Sequence, residues 1–120
     1  MTTEDIASKL TYFQEQVHLF HWQTRSFSEH KATGSLYEFI QELKDDVIER
    51  LMGYTGKRIK GMKMEAIKSD VDCMALVDEI IKFSEELMKF AETSKYWDIA
   101  NIAQTLSGKA AKTKYLLTLS

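Results

Sequence analysis

Apolar residues recur at steps of three and four along four separate stretches of this 120-residue chain, and no proline interrupts them. That spacing places the apolar side chains of each stretch on one face of an α-helix. A chain of this length has room for one hydrophobic core. We therefore predict an all-α protein with a single four-helix bundle domain over residues 1–120.

The first two predicted helices are delimited by their capping residues. The first covers residues 3 to 24 or 25 and is capped by Thr2 or Thr3. The pattern breaks over residues 26–34, which we interpret as a loop. The second helix then begins at Ser35, because Ser35 and Glu38 have the spacing of a capping box.

Two topologies are open after the second helix. Gly53, Gly56 and Gly61 each weaken a helix by ~1 kcal/mol relative to alanine, so this helix ends near Tyr54 or continues to Lys60. If it continues, the short linker favours a simple up-down-up-down bundle. If it ends early, roughly fourteen residues can span ~45 Å and form a long crossover.

The third helix follows a cap at Ser69 or Asp70 and has the widest apolar face, so we expect it to be the most buried. The fourth covers residues 95–118. Large apolar groups also lie on the outer face of the first helix, at Tyr12, Leu19 and Trp22. They indicate a second contact surface, and self-association into a dimer or larger oligomer is the simplest way to cover it.

Composition excludes several classes of function. The net charge of −2 gives no electrostatic footprint for nucleic acid, and the lysine runs over residues 57–63 and 109–114 are interpreted as solvated surface. Cys73 is the single cysteine, so neither an internal disulfide nor a two-cysteine metal clip can form. There is no basic-then-apolar leader and no apolar run of membrane-spanning length. We expect a soluble, cytoplasmic protein without a membrane or nucleic-acid partner.

Histidines and carboxylates form the one constellation that could support chemistry. All three histidines (His18, His21 and His30) precede a row of carboxylates at helical spacing, namely Glu38, Glu42, Asp45 and Glu49. Imidazole and carboxylate together suit iron, manganese or zinc. A di-iron bundle of the usual kind needs two Glu-x-x-His sequences. This chain has one, from Glu15 to His18, so a complete site inside one bundle is not expected.

A metal site shared between two copies avoids that objection. Asp45 and Glu49 are four residues apart and therefore lie on one helical face, which points away from the core. The structural alternative is that the acidic row is a solvated helix face and that the histidines make ordinary hydrogen bonds.

Part of the chain resembles the Dps branch of the ferritin-like superfamily, the miniferritins that protect DNA during starvation. The residues that carry the resemblance are His21-Trp22, Phe27, His30, Asp45 and Glu49-Arg50. It implies a ferritin-like bundle with a crossover, in which His21 and His30 of one subunit and Asp45 and Glu49 of its dimer mate bind iron for oxidation by peroxide. Gly34 stands where the family has a further acidic ligand, and the family's lysine-rich tail is missing. The pattern from His21 to Gly34 is also similar to small uncharacterised bacteriophage proteins.

Two functional hypotheses follow. The first is a ferritin-like protein that binds iron, or else manganese or zinc, between subunits and has ferroxidase-like activity. Its ligands would be His21, His30, Asp45 and Glu49, with Glu15 and His18 as the alternative pair. The second is a non-catalytic interaction protein of the phage accessory type on the same scaffold, which binds itself or a protein partner. If phage-encoded, it would act in the host cytoplasm.

Overall fold

The computed structural model describes residues 1–119. Over that range the chain is helical without strands, and the four helices are α1 (Thr3–Gln23), α2 (Phe27–Thr55), α3 (Cys73–Thr93) and α4 (Trp97–Leu116). The predicted four-helix bundle is confirmed. The molecule measures 45 × 25 × 19 Å. None of the helices in the described range is both long and apolar enough to cross a membrane.

The bundle consists of two tightly packed hairpins, α1 with α2 and α3 with α4. Looser contacts of α2 with α4 and of α1 with α3 join them. One hydrophobic core runs through all four helices. The apolar stripe along one face of each helix supplies the fully buried side chains of this core. Among them are Ile6, Leu10, Phe13, Val17, Leu36, Ile40, Val47, Ile80, Leu87, Ile99 and Leu106.

A long crossover joins α2 to α3, which resolves the topology left open by the sequence. Gly56, at φ +69°, adopts the left-handed conformation that ends α2. The backbone N–H of Lys60 then donates to the Glu4 carboxylate (3.1 Å), and the Gln16 amide bonds both backbone groups of Lys68 (2.7 and 2.9 Å). The connection therefore runs along α1 from its first turn towards its last, and α3 starts at the end of the bundle where α2 starts.

The predicted loop over residues 26–34 is wrong, because α2 begins at Phe27. Ser26 is the N-cap, and its hydroxyl accepts the backbone N–H of Glu29 (3.3 Å). Ala32 and Thr33 are buried one turn before Leu36 and extend its stripe. The predicted capping box at Ser35 therefore does not form, since Ser35 lies inside the helix.

The predicted starts of the last two helices shift by a few residues. Asp72, not Ser69 or Asp70, caps α3 by accepting the backbone N–H of Met74 (3.2 Å). The fourth helix starts at Trp97, after Tyr96, although Tyr96 makes no side-chain capping bond. The start of α1 agrees with the sequence, since Thr2 and Asp5 form a reciprocal capping box.

Tyr12 is not part of an open contact surface. It is 8% exposed, with the ammonium group of Lys9 5.1 Å from its ring centre. A polar pocket here is lined by Tyr12, by Glu65 of the crossover and by residues of α3. The chain therefore covers this part of α1 itself, whereas Leu19 is half-buried and Trp22 is exposed.

Candidate functional site

The three histidines come together where α1 and α2 meet. The His18 ring lies between Trp22 and Tyr37, at centroid distances of 3.9 and 4.0 Å. His21 stacks on His30 at 3.7 Å with a 17° angle between the rings. The centroids of His18 and His21 are 6.1 Å apart.

His21 and His30 exchange hydrogen bonds, and we call this pair the histidine clamp. His21 Nδ1 donates to the backbone carbonyl of His30 (2.6 Å), and His30 Nδ1 donates to the backbone carbonyl of His21 (2.9 Å). Because a carbonyl oxygen only accepts, both imidazoles carry a proton on Nδ1. The His21 carbonyl is one of the last in α1, where the helix supplies no amide donor, so the clamp also caps α1.

Gly34 gives the His21 ring its space. A Cβ atom at position 34 would lie 2.8 Å from His21 Cε1 and 3.2 Å from His21 Nδ1. Such distances require the ring to move, and the ring is held by its bond to His30. The glycine that departs from the miniferritin pattern therefore has a packing role in this protein.

Hydroxyl groups fix the turn between the two helices. Thr24 Oγ1 donates to the Glu29 carboxylate (2.6 Å) and accepts the backbone N–H of Ser26 (3.2 Å). Thr33 Oγ1 donates to the Glu29 carbonyl (2.7 Å). Sequence reasoning missed the roles of Thr24, Ser26 and Glu29. The signal was present, since Ser26 and Glu29 have the spacing of an N-cap followed by an acidic first turn.

Two large rings on this turn face solvent, Trp22 at 67% exposure and Phe27 at 73%, and we call them the aromatic pair. His18 supports the Trp22 ring from one side. The Lys31 ammonium group lies 5.4 Å from the centre of the Phe27 ring. The turn thus presents two apolar rings on a backbone that its own hydrogen bonds hold in place.

The predicted carboxylate ligands lie elsewhere on α2. Asp45 and Glu49 are exposed, as the sequence indicated. A hydrogen bond shared with Asp45, together with the negative charges of Asp45 and Asp46, raises the pKa of Glu49 above its usual range. Asp45 follows His30 by fifteen residues, which is ~22 Å along a helix. One chain therefore does not bring the histidine clamp to these carboxylates.

The histidine clamp in its present conformation does not suit a shared metal ion. An imidazole lone pair lies in the ring plane, and the two rings are nearly parallel. An ion midway between them would lie roughly 1.8 Å out of each plane, against a typical Zn–N distance of ~2.1 Å. In residues 1–119, no three His, Cys, Asp or Glu side chains are grouped to hold a metal. Glu15, of the alternative ligand pair, is exposed one turn before His18. The metal site shared between two chains stays a prediction.

Comparison with known proteins finds a family of unknown function and a relative from a phage. No solved structure matches the chain. It is 26% identical over 106 residues to the uncharacterized 14.6 kDa protein in the mobD-ri intergenic region of Enterobacteria phage T4, with 88% of this chain and 80% of that protein covered. The predicted similarity to small phage proteins is confirmed, whereas the resemblance to miniferritins gains no support. Residues 21–117 match the family of unknown function DUF5856, starting at the clamp residue His21. The chain belongs to the DUF5856 family.

Proposed function

We propose that this protein is a non-catalytic helical interaction module that docks on a partner protein through the aromatic pair. The observation that carries the proposal is that a firmly bonded turn holds Trp22 and Phe27 in solvent. Aromatic side chains dominate the binding energy of protein interfaces. A turn that is already ordered loses little conformational entropy when it binds.

The exposed rings are large enough to drive binding. Covering the exposed parts of Trp22 and Phe27 would remove roughly 300 Å² of apolar surface from water, worth about 7 kcal/mol before the cost of association. That cost takes several kcal/mol, so the aromatic pair by itself supports a weak or moderate complex. The relative in phage T4 suggests the setting, a phage or host protein as partner in the host cytoplasm.

Site-specific photo-crosslinking in bacterial host cells tests this function. A photoreactive benzoylphenylalanine at position 22 should give one dominant adduct, and the same residue at position 97 should not. Trp97 is the matched control because it is also an exposed tryptophan, at 59%, on another helix. The partner identified by mass spectrometry is then purified and titrated with variants.

We expect Trp22→Ser and Phe27→Ser each to weaken binding of that partner at least ~10-fold, which corresponds to about 1.4 kcal/mol. Trp97→Ser should bind as the unmodified protein does. Equal adducts from positions 22 and 97, or unchanged affinity in Trp22→Ser, would refute the proposal.

Metal binding between chains is the second candidate. It is supported by the Nε2 atoms of the clamp, which carry no proton in the neutral rings, and by the exposed carboxylates of Asp45 and Glu49, one helical turn apart. The ligands would come from two chains and the clamp rings would have to turn. Elemental analysis after reconstitution with Fe(II), compared between the unmodified protein and a His30→Ala, Glu49→Ala variant, tests it. Equal metal content in both proteins would count against these ligands.

A further inference from the structure

A second surface of the bundle lies about 30 Å from the aromatic pair, measured along α2. Here a cleft of about 400 Å³ opens between α1, α2 and the crossover. Its apolar lining consists of Ala7, Ile48, Ile59 and Met62. Met62 is 52% exposed, and Ile48 and Ile59 are half-buried, so this lining is only partly covered by the chain itself.

The α2 side of the cleft carries Asp45, which shares a helical face with Glu42 and Glu49 on either side of it. Glu42, Asp45 and Glu49 form what we call the acidic edge, and all three are exposed on α2. None of them joins an ion pair within the described residues. Their crowding is unfavourable, as the raised pKa of Glu49 beside Asp45 indicates. Lys44 lies on the same wall and offsets one of the three charges.

The crossover side of the cleft carries Lys60, and Lys57 and Arg58 just before it line the neighbouring cavity. The crossover carries Lys57, Arg58, Lys60 and Lys63 within seven residues, and we call these the basic edge. All four are exposed, and no side chain of the basic edge forms an ion pair in residues 1–119. Asp45 and Lys60 line the same cleft from α2 and from the crossover.

We infer that a second copy of this chain covers the cleft, in a symmetric dimer whose twofold axis runs along it. Rotation about that axis exchanges the two sides, so each acidic edge faces the partner's basic edge and the apolar linings meet between them. An antiparallel pairing of the two α2 helices would instead oppose acidic rows, because Glu38 and Glu42 lie on the outer face.

This dimer is independent of the proposed function. Its axis is parallel to the helices, so both aromatic pairs lie at the same end and remain uncovered. A partner with two binding sites could then engage both turns at once, which raises apparent affinity without new contacts.

The dimensions of the bundle indicate a weak dimer. A contact over half of the 45 Å length and across the 25 Å width buries roughly 1,100 Å² in total, which is at the small end of specific interfaces. We expect a dissociation constant of the dimer in the micromolar range. Salt should weaken the dimer, because screening shortens the reach of charges to ~3–4 Å near 1 M.

Analytical ultracentrifugation with two charge-reversed proteins tests the inference. One carries Asp45→Lys and Glu49→Lys, and the other carries Arg58→Glu and Lys60→Glu. The unmodified 13.9 kDa chain should reach twice that mass at about 100 µM, a concentration chosen for a small interface. Each reversed protein alone should dimerise at least ~10-fold more weakly, and their mixture should form a mixed dimer. The inference would be overturned by an unmodified protein that stays monomeric, or by a mixture of the two reversed proteins that forms no mixed dimer.

A methionine pair tests the apolar centre of the interface. Met62 and Met64 are equally exposed at 52%, but only Met62 lines the cleft. Met62→Glu should abolish the dimer, Met64→Glu should not, and both should keep the same helical circular dichroism. The dimer should also persist in EDTA and in Trp22→Ser. Loss of the dimer in EDTA would refute charge pairing between the edges and favour a shared metal site.

Discussion

Gly34→Ala should destabilise this protein, although alanine is the better helix former. Inside an ordinary helix the change gains ~1 kcal/mol. At position 34 the new Cβ would lie 2.8 Å from His21 Cε1, so the ring must leave its place. That movement removes a hydrogen bond worth ~1 kcal/mol and a ring stack worth ~1 kcal/mol. The net expectation is a loss of about 1 kcal/mol, or a Tm lower by about 4 °C.

Gly53→Ala is the matched control in the same helix. A Cβ at position 53 meets nothing within 4 Å, so this variant should be more stable by up to ~1 kcal/mol. Urea unfolding followed by circular dichroism measures both. The two variants should therefore differ by about 2 kcal/mol.

A double-mutant cycle isolates the contact. In a His21→Ala background the ring that would meet the new Cβ is absent, so Gly34→Ala should become stabilising by ~1 kcal/mol. If Gly34→Ala and Gly53→Ala stabilise equally in the unmodified protein, the His21 ring is not held as described and the reasoning about the histidine clamp is refuted.

Three further predictions concern other parts of the bundle. Burial raises the pKa of the Cys73 thiol to about 12, so iodoacetamide should label it only after unfolding, and rapid labelling of the native protein would contradict this. Asp98 accepts hydrogen bonds from Tyr54 and Arg50, which lower its pKa. Its stabilisation is therefore present above the unfolded pKa of ~3.9 and is lost as pH falls through the lower folded value. At pH 7, Asp98→Asn should lower the free energy of unfolding by about 0.5 kcal/mol, a gap that closes in acid. Thr2→Ala should cost ~1 kcal/mol, measured by urea unfolding, because the α1 capping box is lost.

Helical periodicity predicted the bundle well because burial depends mainly on spacing. The apolar residues at steps of three and four along α1 from Ile6 to Val17, and along α2 from Leu36 to Leu51, are buried. The path of the crossover could not be predicted from local sequence, because it depends on tertiary contacts. Its path depends on single hydrogen bonds from Lys60 and Lys68 to side chains on α1, and no local pattern encodes those partners.

The start of α2 was mispredicted because two cap-like sequences compete. Ser35 and Glu38 have the spacing of a capping box, and so do Ser26 and Glu29. Gly34 also suggested a break. The choice between the two is made by packing, since Ala32 and Thr33 are buried only if the helix starts at the earlier serine.

The sequence indicated where the candidate site lies, but it did not determine what the histidines do there. The sequence placed His21, His30 and Trp22 in one region, and the structure brings them together. It could not show that both clamp imidazoles donate to backbone carbonyls, because that depends on how α1 meets α2. The histidines thus fit the structural alternative that the sequence left open, in which they make ordinary hydrogen bonds, while Phe27 and Trp22 stay exposed.

The most direct test is to determine which ring nitrogen of each clamp histidine carries the proton, by long-range proton–nitrogen NMR on uniformly ¹⁵N-labelled protein at about pH 8. We predict that His21 and His30 carry their proton on Nδ1, because each donates it to a carbonyl oxygen of the other residue. Spectra in which both rings carry the proton on Nε2 would contradict the clamp. The bonded turn that holds the aromatic pair in solvent would then lose its central support.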